Sequence, residues 1–73
     1  MTVNVAIIGA GFMGRAHAES YYKGELGARV TRVVASRRAR AEALAADLPG
    51  AVRAGDDFQG ALDDPAVDMV DIC

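Results

Sequence analysis

The sequence has no tryptophan, one cysteine, one histidine and two prolines among its 73 residues. A single cysteine cannot close an intramolecular disulfide, and no Cys/His spacing of the metal-binding kind is present, so the sequence by itself argues for no metal site. Scarce proline, with 52% hydrophobic and 25% charged residues, excludes the disordered and fibrous classes. No apolar run approaches the roughly 20 residues needed to span a bilayer. Met1 to Ala10 lacks the basic start of a secretion signal, so the expectation is a cytoplasmic protein that avoids membranes. The formal net charge is −2 and the basic residues form no stripe, which removes nucleic acid as a partner. At this length one domain is the ceiling, and a single core would bury only about 60% of the unfolded surface.

What is present is a regular alternation. Val3-Asn4-Val5-Ala6-Ile7-Ile8 is β-branched, apolar and closed by glycine, as is a strand covered on both faces of a parallel sheet. From about Gly11 to Tyr22 the spacing turns helical, with Gly14 and Ala18 in one row and Met13, His17 and Tyr21 in the next. Gly24 and Gly27 are expected to end this helix, and Ala28 to Ala35 is predicted to be the second strand. Arg38 to Leu48 is predicted to be a second helix with Ala41, Leu44, Ala45 and Leu48 as its apolar face, stopped by Pro49-Gly50. A short strand is expected at Ala51 to Ala54. Asp56 and Asp57 are candidate N-caps for a brief helix from Phe58 to Leu62, Asp64-Pro65 starts a turn, and Met69 to Cys73 is the fourth strand.

Such alternation predicts an α/β fold: part of a doubly wound parallel sheet, with strand four beside strand one and a ligand crevice between them. A chain that stops on an interior strand is expected to be the first part of a longer domain, residues 1–73 being its N-terminal portion.

Gly9-Ala10-Gly11-Phe12-Met13-Gly14 fits G-x-G-x-x-G between a strand and a helix, the context in which this motif holds a dinucleotide. Gly9 allows the tight turn, Gly11 leaves room for a pyrophosphate, and Gly14 lets the helix lie close to the strand. The amides of Phe12 and Met13 are donors without a helical partner, at the positive end of the helix dipole. The plainer alternative is a glycine turn that serves packing alone.

About 20 residues beyond the glycines, an NAD site places an acidic residue against the ribose 2′-hydroxyl. Ser36 occupies that place, followed by Arg37 and Arg38. A hydroxyl and two guanidinium groups suit a 2′-phosphate, so the expected cofactor is NADP, with NAD as the alternative. One charge-assisted hydrogen bond, at roughly 1.5–3 kcal/mol, would shift the preference by about tenfold to a hundredfold. The competing interpretation makes Ser36 a helix cap and the arginines a solvated face.

The remaining polar residues are assigned structural roles. His17 stands about a turn beyond the glycines and is expected to support the structure rather than act in chemistry. Tyr21 and Tyr22 are read as packing residues. Asp56, Asp57, Asp63, Asp64, Asp68 and Asp71 are spread over caps and turns, and Cys73, with no basic neighbour in sequence, is expected to be a buried strand thiol.

Taken together, Val5 to Gly14 (VAIIGAGFMG), His17-Ala18, Arg40 to Ala45, and Asp63-Asp64-Pro65-Ala66-Val67-Asp68 leading into Val70-Asp71-Ile72-Cys73 resemble the Gfo/Idh/MocA family of oxidoreductases. The resemblance covers nearly the whole chain. It implies a two-domain, homo-oligomeric enzyme that moves hydride between a nicotinamide cofactor and a sugar, inositol or related polyol. It also implies a Thr-Pro loop after strand four and a Glu-Lys-Pro motif carrying the catalytic lysine. Both lie beyond Cys73, so no catalytic residue is transferred. The cofactor-binding residues expected here are Gly9, Gly11, Phe12, Met13, Gly14, Ser36, Arg37 and Arg38. The alternatives left open are an oxidoreductase for amino-acid or hydroxyacid substrates and a module that senses NAD(P) without turning it over.

Overall fold

The middle of the sheet is set by β1 (Val3–Ile8), in which Val5, Ala6 and Ile7 are each 0% exposed. No polar side chain interrupts the strand after Asn4, so both of its faces can be covered. The computed structural model describes residues 2–23 and 27–73. After β1 come α1 (Phe12–Lys23), β2 (Ala28–Val34), α2 (Arg38–Ala46), β3 (Arg53–Gly55), α3 (Phe58–Asp63) and β4 (Met69–Ile72). The four strands form one parallel sheet in the order β3-β2-β1-β4, so β4 lies beside β1 as the alternation predicts.

Two hydrophobic layers sandwich the sheet. Val5, Ile7, Val30 and Val33 face Ala18 of α1 and Ala41, Leu44 and Leu48 of the α2 segment. Ala6 and Val34 face Ala61 of α3, with Ile8, Val67 and Val70 packed around them. Val30 and Val33 share a face although they stand three positions apart, because the β1–β2 register shifts between Val5 and Ala6 and Thr31 becomes an extra residue. That bulge resets the alternation of sides and turns Val34 toward α3. Burying a side chain the size of Ile7 or Leu44 contributes about 1.5–3 kcal/mol, so these layers supply most of what holds the helices to the sheet.

The lower end of the sheet is laced by side chains. Asp68 Oδ2 accepts from the Asn4 amide at 2.8 Å while Asn4 Nδ2 donates to the Ala66 carbonyl at 3.0 Å. Asp64 Oδ1 accepts from the Ala66 amide at 2.9 Å, forming the turn that the Asp-Pro pair announces. Arg32 reaches from β2 to the Gly60 carbonyl and to Asp64, both at 3.2 Å, and ties α3 down. Asp57 is the cap of α3, accepting from the Gly60 amide at 2.8 Å, whereas Asp56 is not a cap.

Element boundaries differ from expectation for local reasons. Helix α2 stops at Ala46, because the amides of Asp47 and Leu48 turn to Leu44 and Ala45, three residues back, yet Leu48 stays buried. Strand β3 begins at Arg53, not Ala51, since only Arg53, Ala54 and Gly55 find partners on β2. Strand β2 ends at Val34 rather than Ala35, and β4 ends at Ile72 rather than Cys73. Gly24 lies outside the described residues, while Gly27 precedes β2 with φ +70°. Among the described residues no helix is long and apolar enough to cross a membrane.

Candidate functional site

The β1–α1 turn is made by glycines used in different ways. Gly9 has φ +113°, a conformation side chains rarely adopt, and a Cβ there would come within 2.8 Å of the Cys73 carbonyl oxygen. A Cβ on Gly14 would collide with the Gly9 carbonyl, so Gly14 is what lets the first turn of α1 rest on the strand end. Gly11 is different. Its φ lies outside the left-handed region and a Cβ there would meet nothing within 4 Å. Nothing within the described protein requires glycine at this position. A molecule lying over the turn would require it.

The donors beside Gly11 suit an anion. The first bond of α1 runs from the Arg15 amide to the Gly11 carbonyl at 3.0 Å. The amides of Phe12, Met13 and Gly14 have no acceptor among the described residues. Three converging N–H dipoles with no acidic side chain in the first turn favour an anion. The Phe12 side chain is 86% exposed, so only its main chain belongs to this arrangement.

Gly9 and Gly11 form one wall of a cleft of about 540 Å³ at the C-terminal end of the sheet. Ser36 and Arg37, after β2, form the second wall with Arg40 of α2, and Phe58, Ile72 and Cys73 close the remaining side. The structure therefore brings Gly9, Gly11, Ser36 and Arg37 together. Phe12, Met13 and Gly14 lie past the cleft wall at the start of α1, and Arg38 is out of it as well, with its Nε donating to Glu42 Oε1 at 3.2 Å along the surface of α2. Arg40 takes the place expected for Arg38, a residue missed in the sequence although its i, i+3 spacing from Arg37 puts the two on one side of the helix start. Ser36 does not cap α2, whose N-cap is Arg37 without a side-chain bond, so the capping alternative for Ser36 fails. Asp56 also borders the cleft, where its carboxylate partly offsets the two arginines.

Beneath the glycine turn lies a second polar group that the sequence did not reveal. Asp71 of β4 is not a solvated or capping carboxylate: its Oδ2 accepts from the Tyr21 hydroxyl at 2.6 Å and from His17 Nδ1 at 2.9 Å. Burial pushes the Asp71 carboxyl up, but the bonds from Tyr21 and His17 outweigh it and hold it below its ordinary value of 3.8. Burial first, then the bond to Asp71, pushes the Tyr21 phenol up to about 12. His17 thus has the supporting role expected of it. Tyr21 does more than pack.

Cys73 departs from expectation as well. It is exposed, and its Sγ lies 3.4 Å from His17 Nδ1 and 3.6 Å from Asp71 Oδ1. The signal was available as two spacings: His17 and Tyr21 four apart on a helix, Asp71 and Cys73 two apart on a strand. What the sequence could not give was that β4 passes beneath that face of α1.

Residues 3–73 match the family described as the oxidoreductase family with an NAD-binding Rossmann fold. Inositol 2-dehydrogenase 2 of Saccharopolyspora erythraea is 40% identical over 70 residues, covering 96% of this chain and 20% of that protein. Among solved structures, an NAD-binding oxidoreductase from Klebsiella pneumoniae superposes with a TM-score of 0.87 at 35% identity, over 100% of this chain and 21% of that one. The myo-inositol dehydrogenase of Lactobacillus casei, solved with NAD(H) and myo-inositol, gives a TM-score of 0.87 at 36% identity, over 100% and 22% of the two chains. The chain thus spans about a fifth of the length of these relatives. With its glycine turn, its parallel sheet and a family match running from β1 through β4, this chain belongs to the Gfo/Idh/MocA oxidoreductases as part of their NAD-binding Rossmann domain.

Proposed function

We propose that this chain is the N-terminal part of the dinucleotide-binding domain of a two-domain oxidoreductase that prefers NADP and acts on an inositol, sugar or related polyol. The observation that carries the dinucleotide reading is the pairing of an unhindered Gly11 with three unpartnered amides at the start of α1. Within this reading the amides of Phe12, Met13 and Gly14 bind the pyrophosphate, and Gly9 and Gly14 fix where those amides stand. Bound in the cleft, the cofactor supplies a nicotinamide carbon that accepts or gives hydride. The side chains of this segment bind and orient. The groups that move the substrate's proton belong to the rest of the enzyme. The polyol assignment is supported by the names of two of the three relatives, which are inositol dehydrogenases. A cytoplasmic, homo-oligomeric enzyme fits the family resemblance.

NADP preference is supported by the absence of a carboxylate at Ser36 and by two guanidinium groups, Arg37 and Arg40, on the same wall. A 2′-phosphate between them gains charge-assisted bonds that a 2′-hydroxyl cannot match. Arg38, paired with Glu42, contributes less.

Titrating NADPH and NADH separately into the full-length protein tests both levels. Tighter NADPH binding, by about tenfold to a hundredfold, is expected. Equal affinity, or tighter NADH binding, would remove the role given to the arginines, and no binding of either would remove the dinucleotide reading. Reduction of the bound cofactor by myo-inositol or another polyol checks the substrate class, which a strict requirement for an amino acid or hydroxyacid would overturn.

A further inference from the structure

Among the described residues, His17 Nδ1, a carboxylate oxygen of Asp71 and Cys73 Sγ lie within 4.8 Å of one another. The fold explains the convergence. Asp71 and Cys73 are two apart along the β4 direction and so present their side chains to the same face, the face on which α1 carries His17. The question is whether this is only a hydrogen-bond cluster or also a cage for a cation.

Distances discriminate between the two. In a tetrahedral zinc site with bonds of about 2.0–2.1 Å to nitrogen and oxygen and 2.3 Å to sulfur, neighbouring ligand atoms stand about 3.3–3.6 Å apart. Here Sγ is 3.4 Å from Nδ1 and 3.6 Å from Asp71 Oδ1, so two edges already have that length. The Nδ1 to Oδ2 edge is shorter, 2.9 Å, as a direct hydrogen bond requires. A cation using Oδ1 would leave the Tyr21 bond to Oδ2 at 2.6 Å in place, while the His17 Nδ1 bond to Oδ2 would be given up and the imidazole would turn toward the metal. A ligating carboxylate steadied through its other oxygen is the usual support of a metal site.

We propose that His17, Asp71 and Cys73 form a three-ligand zinc site, with the fourth position open to water. The donor set selects the metal: one thiolate, one imidazole nitrogen and one carboxylate suit zinc, whereas magnesium and calcium take oxygen ligands and copper(I) takes soft sulfur ligands. Thiolate and carboxylate together neutralise the dication, so the occupied site carries no net charge. On binding, the Cys73 thiol releases its proton to solvent, and the Nδ1 proton of His17 is replaced by one on Nε2, leaving the imidazole neutral. The site joins α1 to the end of β4 directly behind Gly9, where the Cys73 carbonyl limits the turn. Zinc there would brace the start of α1 against the end of β4.

Cobalt(II) chloride, added to metal-free full-length protein, is the probe. The expected result is a thiolate-to-cobalt charge-transfer band in the near ultraviolet, displaced by zinc, absent in Cys73→Ser, and with cobalt affinity weakened at least about tenfold in His17→Ala and in Asp71→Asn. No band in the wild type, a band that survives in Cys73→Ser, or unchanged affinity in the other two variants would mean a hydrogen-bond cluster only. Should a variant not fold, the wild type still decides. Zinc is expected to slow alkylation of Cys73 by iodoacetamide about tenfold or more, followed by mass spectrometry of the peptide that contains it, and an equal rate overturns the proposal. Dinucleotide titration of the same sample keeps failure here distinct from failure of the cofactor assignment.

Discussion

The two turns that border the cleft work by opposite means. At the β1–α1 turn the proposed recognition would be left to the main chain: Gly9 and Gly14 let the turn and the helix close on each other, and Gly11 leaves open space beside three amides. At the β2–α2 turn the cleft is lined by side chains, Ser36, Arg37 and Arg40, which under the proposed cofactor assignment would meet a ribose and its substituent. The first turn suits what every dinucleotide shares, the second what distinguishes one from another. It follows that changes at the first should affect NADH and NADPH alike, and changes at the second should affect NADPH alone.

The largest effect is expected at Gly14. A methyl group there meets the Gly9 carbonyl, which cannot yield without moving the strand end, so Gly14→Ala should cost about 3 kcal/mol of stability and lower the thermal midpoint as well as cofactor affinity. Gly11→Val should separate binding from folding. Its side chain enters open space, so the thermal midpoint should hardly move while affinity for both NADH and NADPH falls about a hundredfold by calorimetric titration. A variant that kept its affinity would show that no ligand passes over Gly11. Arg40→Ala should weaken NADPH about tenfold and leave NADH unchanged, with Arg38→Ala the smaller partner at less than about twofold. If Arg38→Ala had the greater effect, the cleft wall would have to be redrawn.

The smallest effect concerns pH. The Tyr21 phenol stays protonated to about 12 in the fold against an ordinary 10.0, so its contribution is complete below pH 10.0 and is lost as pH rises through about 12. For Asp71 the direction reverses: its lowered carboxyl contributes fully above 3.8, and that contribution fades as pH falls through the folded value. Denaturant unfolding of Tyr21→Phe and Asp71→Asn should therefore approach the wild type at the alkaline and acid extremes respectively. A stability gap independent of pH would dissolve the Tyr21–Asp71 pair.

Sequence pattern revealed the fold more fully than the site, and the residues show why. The run Val3–Ile8, the row Gly14–Ala18 and the face Ala41-Leu44-Ala45-Leu48 are each repeated signals in which several positions agree; Val5 to Ile7, Gly14, Ala18, Ala41, Leu44 and Leu48 are buried, while Val3, Asn4, Ile8 and Ala45 are partly buried. The glycine motif was readable from its spacing between a strand and a helix, and two of its positions, Gly9 and Gly14, answer to a geometric demand of the fold. Arg40 was not, since choosing between Arg38 and Arg40 depends on where α2 begins to turn, and Arg37 rather than Ser36 occupies the cap. Asp71 and Cys73 lie 54 and 56 residues from His17 along the chain. Their meeting depends on the order of the strands, which no local spacing encodes. The shift of β3 from Ala51 to Arg53 has the same origin, because the reach of β2 decides which of its residues find a partner.

The contact of Gly14 with the Gly9 carbonyl has one more consequence. Because the helix is seated against its own entry turn, a diphosphate bound as proposed would meet amides already aimed, with little cost of arranging them. Association should accordingly leave the backbone from Ile8 to Arg15 nearly unmoved, and the entropy lost on capture should come from the ligand far more than from the protein.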